Sequence, residues 1–442
     1  MAVEVSVIIP TYNRADQLRA TLTSLARQSV PTGTFEVIVV DDGSTDGTDA
    51  VVDEFGDRLT IRYEFLERDL ADIAAHGYCV SRVRNVGAAS AASELLLFLD
   101  CGMVAGPELV ASHRAAHRAH PVRPGGPGVA VLGYAYGTVK FRPFRGLAEL
   151  LRAEPPELVA AKIGDGPRGL DMRHDELVAL DYDLSRLAAP WILFWTLNVS
   201  VRTADFRAVG GFSEAFRGWG YEDIELGYRL FRHGCPIVMS RAAWGIEWPS
   251  RPDLSAMAAS VNGNLIVFAD RHPGPDVELY ASIRARNLLR RYEEEFAAFT
   301  AWRAQVTDTD VADELAATYA AYAAGPAAGG SAQLRAAAGG STRPSAADPG
   351  RPRVCVIGCG ERVPPELPPA ILVDFAPELA ARAVRGSLDL PVHGLGLRLP
   401  CPDDSLDLVV VSSRMRGVWP LWQDRITAEA ARVGAHLVAP PE

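Results

Sequence analysis

Short apolar runs alternate with amphipathic stretches through the first two thirds of the chain. Val5–Ile9, Glu36–Val40 and Leu95–Leu99 are each bounded by turn residues, and Leu18–Arg27 and Asp46–Phe55 between them carry apolar residues at helical spacing. Strands apolar on both faces and separated by helices predict a mainly parallel α/β sheet covered on both sides, in a unit running over residues 1–296. Residues 297–322, rich in Ala with Leu, Trp and Tyr at helical spacing, predict a helical extension. Residues 323–352 hold Gly, Ala, Pro and Ser with few large apolar groups, too little surface to offset the entropy of ordering, and read as a flexible linker. Val354–Ile357, Ala370–Val373 and Leu408–Val411 then predict a second, smaller α/β unit over 353–442.

Composition narrows the partners. The 442 residues carry 44 basic and 55 acidic side chains, a net charge of −11, so no basic field exists to hold a nucleic acid. No apolar run reaches the ~18–20 residues that span a bilayer, and Met1–Val5 lacks the charged start and long apolar stretch of a signal peptide, which points to the cytoplasm. Six scattered cysteines suit free thiols there; Cys355 and Cys359, with no further Cys or His nearby, make a poor zinc signal. Lys140 and Lys162 are the sole lysines, a bias typical of GC-rich bacterial coding.

Chemistry concentrates at the expected strand ends. The first strand runs into Pro10-Thr11-Tyr12-Asn13-Arg14, where an aromatic ring suits a base and an arginine a diphosphate, although an ordinary strand-to-helix turn explains the same residues. The second ends in Asp41-Asp42-Gly43-Ser44-Thr45-Asp46. Helix capping accounts for Asp46 and Ser44 but not for the acidic pair. Arg82-Val83-Arg84-Asn85-Val86-Gly87 and then Asp100-Cys101-Gly102 follow.

Taken together, these segments resemble the family 2 glycosyltransferases of the nucleotide-sugar-binding GT-A fold, over about residues 3–290. The resemblance implies that Pro10, Thr11, Tyr12 and Arg14 line the donor pocket. It implies that Asp42, with Asp41 near it, reads uracil or another base, and that Arg84 and Asn85 face ribose and diphosphate. Arginine's planar, bidentate donors suit that last task. Where the family carries Asp-x-Asp at the fourth strand, this chain has Asp100-Cys101-Gly102. Asp100 remains for donor contact, through a ribose hydroxyl or a metal reached through water, and the Mn²⁺ or Mg²⁺ that the resemblance implies lacks its second carboxylate here.

A second motif, Gly218-Trp219-Gly220-Tyr221-Glu222-Asp223, precedes an apolar helical face that stops at Gly234. Acidic residues in a first helical turn are explained by the helix dipole alone. The whole segment, however, is similar to the Gly-Trp-Gly-x-Glu-Asp element of galactosyltransferase and chondroitin-polymerase GT-A enzymes. By that resemblance Asp223 is the catalytic base, Glu222 holds the acceptor, and Trp219 and Gly220 form the acceptor side. The related pattern then carries histidine as a metal ligand; Ala242–Pro249 here has none. His113, His117 and His120 read as a solvated helix face, and Asn198-Val199-Ser200 as a sequon that a cytoplasmic chain leaves unmodified. Trp191, Trp195, Trp244 and Trp248 fit a sugar-stacking wall or the core.

In the last unit, Gly358-Cys359-Gly360 after one strand and Asp374 at the end of the next resemble class I S-adenosylmethionine-dependent methyltransferases. The unit is short for that class, and Glu361-Arg362 replace its third glycine, so a degenerate domain for packing, docking or homodimer formation is expected, without S-adenosylmethionine. The expected function is an inverting glycosyltransferase in bacterial natural-product biosynthesis. Its donor is a nucleotide-diphosphate sugar, expected to be a UDP-sugar, and its acceptor a soluble small molecule, peptide or glycan. The alternatives are a non-catalytic sugar-nucleotide-binding scaffold and a bifunctional glycosyltransferase-methyltransferase.

Overall fold

The computed structural model describes residues 3–122, 125–137, 146–163, 170–249, 254–283, 288–324 and 353–441. They fall into two compact units, Met1–Val267 and Phe268–Glu442. The first is an eight-stranded mixed sheet of β1 (Val5–Thr11), β2 (Phe35–Asp41), β3 (Ile61–Phe65), β4 (Leu95–Leu99), β5 (Met103–Ala105), β6 (Ala130–Tyr136), β7 (Asn198–Arg202) and β8 (Ile237–Glu247), in the order β3-β2-β1-β4-β7-β6-β8-β5. β3, β2, β1 and β4 are parallel, and β7 runs antiparallel to β4 and β6. Because Thr11 pairs with Asp41 and Leu99 with Asn198, the carboxyl ends of β1, β2 and β4 and the start of β7 share one edge.

The apolar runs are buried on both faces, as a helix-covered parallel sheet requires. Val5, Val7, Val37 and Val39 pack with Leu18, Leu22 and Leu25 of the helix Ala15–Leu25 and with Val51, Val52 and Phe55. On the other face Ile38 and Val40 meet Val83 of the helix Val80–Ser90. Gly87 lets that helix lie close: a Cβ there would come within 2.5 Å of Ile8 Cγ2 and 3.1 Å of Val40 Cγ2. The helix expected over Asp46–Phe55 covers Thr48–Asp53 and has Gly47, not Ser44 or Asp46, at its N-cap. Asp46 instead accepts from the Ala15 N–H at 2.9 Å and the Thr48 hydroxyl at 2.6 Å.

Of the three histidines expected on a solvated face, His120 is exposed, His117 is half-buried and His113 is a core residue. His113 is fully buried, with Nδ1 2.8 Å from Ser200 Oγ and Nε2 2.9 Å from Asn198 Oδ1, and His117 Nε2 lies 2.9 Å from Ser200 Oγ. The sequon asparagine, Asn198, is equally buried and donates to the Ala243 carbonyl at 2.9 Å. Helical spacing alone did not reveal that β7 places polar groups against this helix.

In the second unit β9 (Val354–Ile357), β10 (Ala370–Asp374), β11 (Leu390–His393), β12 (Leu408–Val411) and β13 (His436–Val438) form an all-parallel sheet in the order β11-β10-β9-β12-β13. Residues from Phe268 to Ala324 belong to this unit, so the helical segments expected in the first unit up to 296, and as an extension beyond it, pack here. The physical reason is cover for an apolar sheet. Val311 and Leu315 pack on Val354, Val356, Leu372 and Val410, while Phe299 and Trp302 meet Phe375 and Trp422. Of the expected linker, Ala323 and Ala324 instead end the helix Ala312–Ala324, and 325–352 lie outside the described residues.

Burial pushes the His113 and His117 rings down, to about 4 and about 3, against about 6.5 in an unfolded chain. The unfolded state therefore binds more protons below pH 6.5, and stability rises with pH through that window. Unfolding free energy is expected to be fully developed above about pH 6.5 and to fall toward pH 4. His113→Gln should show a shallower slope in denaturant titrations across this range; equal slopes for the two proteins would overturn the account.

Candidate active site

The shared edge of the sheet gathers most of the expected site residues. Thr11 is buried and hydrogen-bonds Cys101 Sγ at 3.5 Å, and its carbonyl accepts the Asp42 N–H at 2.9 Å, which ties the ends of β1 and β2 together. Tyr12 and Arg14 are exposed beyond it, next to Pro10 at the end of the strand; Arg14 makes no ion pair with another described residue. The acidic pair divides its work. Asp41 is fully buried and builds the turn, accepting from the Ser44 N–H and the Tyr63 hydroxyl, both at 2.7 Å. Asp42 lies 3.4 Å from Arg68 NH2, and burial raises its pKa while Arg68 and Arg82 oppose the rise. A recess of about 410 Å³ lined by Ser44, Thr45, Gly47, Asp49, Tyr63 and Phe65 lies beside these groups and includes none of the expected site residues.

Arg84 is the centre of the site. Close approach of its helix at Gly87 sets it under the strand ends, where NH2 donates to Asp100 Oδ1 and NH1 to Glu222 Oε1, each at 3.0 Å. Its side chain is 5% exposed. Burial alone would lower its pKa, but Asp100, Glu222 and Asp223 more than reverse this and hold it as a cation. Asn85, the next residue, is committed to backbone: Nδ2 donates to the Phe212 carbonyl and Oδ1 accepts the Phe212 N–H, both at 2.9 Å. The structure brings Arg84, Asp100, Glu222 and Asp223 together and directs Asn85 and Asp41 to building the loops around them.

Glu222 and Asp223 begin the helix Glu222–Arg232, whose entry is set by an unusual run of left-handed backbone: φ is +70° at Gly218, +102° at Gly220 and +71° at Tyr221. Glycine tolerates this at two of the three positions. The helix Leu254–Arg271 holds the run in place. Asn264 Nδ2 donates to the Arg217 and Gly220 carbonyls at 2.9 and 2.8 Å, and the Trp219 N–H donates to Ser260 Oγ at 3.1 Å. From the other side Arg217 pairs with Asp72 at 2.8 Å and the Gly218 N–H donates to the Tyr78 carbonyl at 2.8 Å. Trp219 stands 40% exposed at the tip. None of Ser260, Asn264, Asp72 or Arg68 was legible as part of the site, although Ser260 and Asn264 sit four residues apart on one helix face.

Asp223 accepts from the Ile224 N–H at 2.8 Å and the Thr196 N–H at 3.4 Å. Burial, then the Glu222 charge, push it up to about 7 against the pull of Arg84 and these two amides. Glu222 Oε2 is buried without a hydrogen-bond partner among the described residues. The arrangement offers a carboxylate that takes a proton near neutrality beside a fixed guanidinium.

The donor set does not fit a divalent metal. Asp100 is engaged by Arg84, and the position of the second aspartate is Gly102, at φ +98°. Its carbonyl accepts the Trp248 N–H at 2.8 Å, and a Cβ on it would lie 3.2 Å from Trp248 Cβ. Among the described residues no group of three His, Cys, Asp or Glu is placed to hold a metal ion. Trp191 and Trp248 are core residues, and Trp244 packs flat on Gly106.

In the second unit the crevice beyond β9, β10 and β12 is filled by its own chain. Asp374 accepts from Arg414 Nε and NH2 at 3.2 Å each and from the Gly360 and Ala376 N–H groups at 3.0 Å. The Thr309 carbonyl accepts the Glu361 N–H at 2.8 Å and would lie 2.2 Å from a Cβ on Gly360.

Residues 6–122 match the model of Glycosyl transferase family 2, and residues 180–247 match that of the N-terminal domain of galactosyltransferase. Validoxylamine A glucosyltransferase from Streptomyces hygroscopicus subsp. jinggangensis is 41% identical over 98% of this chain and 96% of its own length, so the second unit is shared. Chondroitin synthase from Escherichia coli is 32% identical over 58% of this chain and 37% of its own. The crystal structure of S. aureus TarS 1-349 in complex with UDP superposes with a TM-score of 0.43 at 20% identity, over 67% of this chain and 71% of that one. No helix among the described residues is long and apolar enough to cross a membrane. With its strand-end motifs, its carboxylates at the helix start and a near-full-length relative of that kind, the chain belongs to the family 2 glycosyltransferases and is a glycosyltransferase.

Proposed function

We propose that the chain transfers a glucosyl group from a nucleotide-diphosphate donor, a UDP-sugar, to a hydroxyl of a small-molecule acceptor of the validoxylamine kind, with inversion. Tyr12, Asp42 and the exposed Arg14 support the donor side, and the 41% identity to validoxylamine A glucosyltransferases along the chain supports the sugar and the acceptor. The observation that carries the mechanism is Asp223, with a pKa raised to about 7 beside Glu222 and Arg84. The acceptor oxygen forms its bond to the anomeric carbon opposite the diphosphate. The bond from that carbon to the phosphate oxygen breaks with its electron pair, and the acceptor's proton passes to Asp223. Glu222, with one carboxylate oxygen unpartnered among the described residues, holds the acceptor, and Trp219 covers its ring. Six unpaired cysteines suit a reducing compartment, the cytoplasm.

Since the base acts only when ionised, turnover is expected to rise with pH through about 7 and level off above it. Asp223→Asn should lower turnover by about 10²–10⁴-fold and abolish that limb. Wild-type turnover in the variant, measured by mass detection of the glucosylated product, would sink the assignment.

The chemistry of the site supports transfer without a resident divalent cation, with Arg84 and Arg14 supplying positive charge. Turnover should be the same in EDTA as in Mn²⁺, and a rate that collapses in EDTA and returns with Mn²⁺ would overturn this.

We further propose a structural role for the second unit, because Asp374 is already saturated by Arg414 and two backbone amides. Calorimetry of the full chain with S-adenosylmethionine should register no binding; a saturable isotherm would restore the methyltransferase reading.

A further inference from the structure

Arg68 belongs to none of the motifs, yet it covers the two groups assigned above to base recognition. Its stem crosses the turn after β2 at Gly43, where a Cβ would lie 2.6 Å from Arg68 Cγ and 3.2 Å from Cδ; Gly43, at φ +81°, both makes the turn and leaves room for the stem. The guanidinium carbon then rests 3.6 Å from the centroid of the Tyr12 ring, and NH2 lies 3.4 Å from Asp42 Oδ2. The Arg68 side chain is only 13% exposed. A separation of 3.6 Å is one van der Waals layer, so no base can lie on that face of Tyr12 while Arg68 is there.

A guanidinium is flat, stacks on aromatic faces and points N–H donors outward in its own plane. Those are the properties by which a nucleobase would be held between an aromatic ring and a carboxylate. We propose that Arg68 is an internal surrogate for the donor's nucleobase, occupying Tyr12 and Asp42 in the donor-free enzyme and leaving them when the donor enters. This rests on the donor-pocket reading above. The surrogate keeps a half-buried carboxylate paired and an exposed ring covered between turnovers. Its seat is imperfect: Arg68 Nε is buried with no hydrogen-bond partner among the described residues, so departure lets that group regain one. Occupancy by Arg68 lowers the apparent affinity for the base in proportion to the time it is seated.

The test is calorimetric binding of uridine and of UDP to the full chain, with circular dichroism melting to check that each variant is folded. Arg68→Met keeps the stem over Gly43 but removes the planar cation. It should bind uridine more tightly than wild type, by about two- to thirtyfold if the lost contact has the usual cation–π strength. Arg68→Lys, which keeps charge and loses the planar fork, should fall between the two. Tyr12→Ala should weaken both ligands. Equal or weaker uridine binding by Arg68→Met, with Tyr12→Ala still weakened, overturns the surrogate and leaves the donor pocket intact. If Tyr12→Ala binds both as wild type does, or neither ligand binds any of the proteins, the donor-pocket reading itself fails and the surrogate with it.

Discussion

One buried guanidinium organises the first unit's working edge. Arg84 comes from the helix Val80–Ser90, Asp100 from the end of β4 and Glu222 from the start of a helix more than a hundred residues later, and the two 3.0 Å hydrogen bonds of Arg84 join all three. Buried charges persist only when paired, and removing one partner of such a set strands the others at high cost. The same cation sets the chemistry. It balances Asp100 and Glu222 but does not cancel the desolvation of Asp223, which is left holding its proton until about pH 7. Geometry and proton affinity thus have a common origin, and that origin depends in turn on Gly87, whose missing side chain lets the Arg84 helix settle onto Ile8 and Val40.

The carboxylates reach Arg84 because the backbone before them is forced into an unfavourable path. Tyr221 sits at φ +71°, a region that costs a side-chain-bearing residue free energy and survives only when its surroundings insist. Here they do: Asn264 fixes two carbonyls of the run, Ser260 its central amide, and the Tyr78 carbonyl its first glycine. The exposed Trp219 is therefore carried on a loop whose base is held from two sides, so an exposed ring at the tip coexists with carboxylates that do not wander.

The parallel core was legible because each strand is a contiguous apolar run ending in a turn, and the two carboxylates of the helix start because they follow a Gly-Trp-Gly sequence. What sequence could not supply was the commitment of polar groups already in view. Asp41 and Asn85 look like ligand-reading side chains, yet each spends its oxygens on nearby protein groups, Ser44 and Tyr63 for one and Phe212 for the other. His113 looks solvated until β7 brings Ser200 and Asn198 against it. The division between units lay upstream of the compositional change at 323 because an apolar sheet recruits cover by packing, and Leu315 and Phe299 bear no local mark of which sheet they serve. Arg68 was hidden for the same reason: its partners Tyr12 and Asp42 are distant in sequence, and only the fold lays its stem across Gly43.

The two places where the chain departs from the metal-binding pattern, Gly102 and Ala242–Pro249, are neighbours in the fold. Gly102 is held at φ +98° with its N–H donating to Thr21 Oγ1 at 3.0 Å and its carbonyl accepting from Trp248. An aspartate there would meet both backbone strain and the Trp248 Cβ. Cys101 between them offers no substitute, since burial pushes its thiol up to about 12 and a protonated sulfur is a poor ligand. In the metal-free transfer proposed above, positive charge at this edge comes from the chain, and Arg84 is the group placed to supply it. That guanidinium already bridges the two carboxylates, Asp100 and Glu222, between which a cation would otherwise be sought. An arginine so placed brings directed N–H donors and a fixed position.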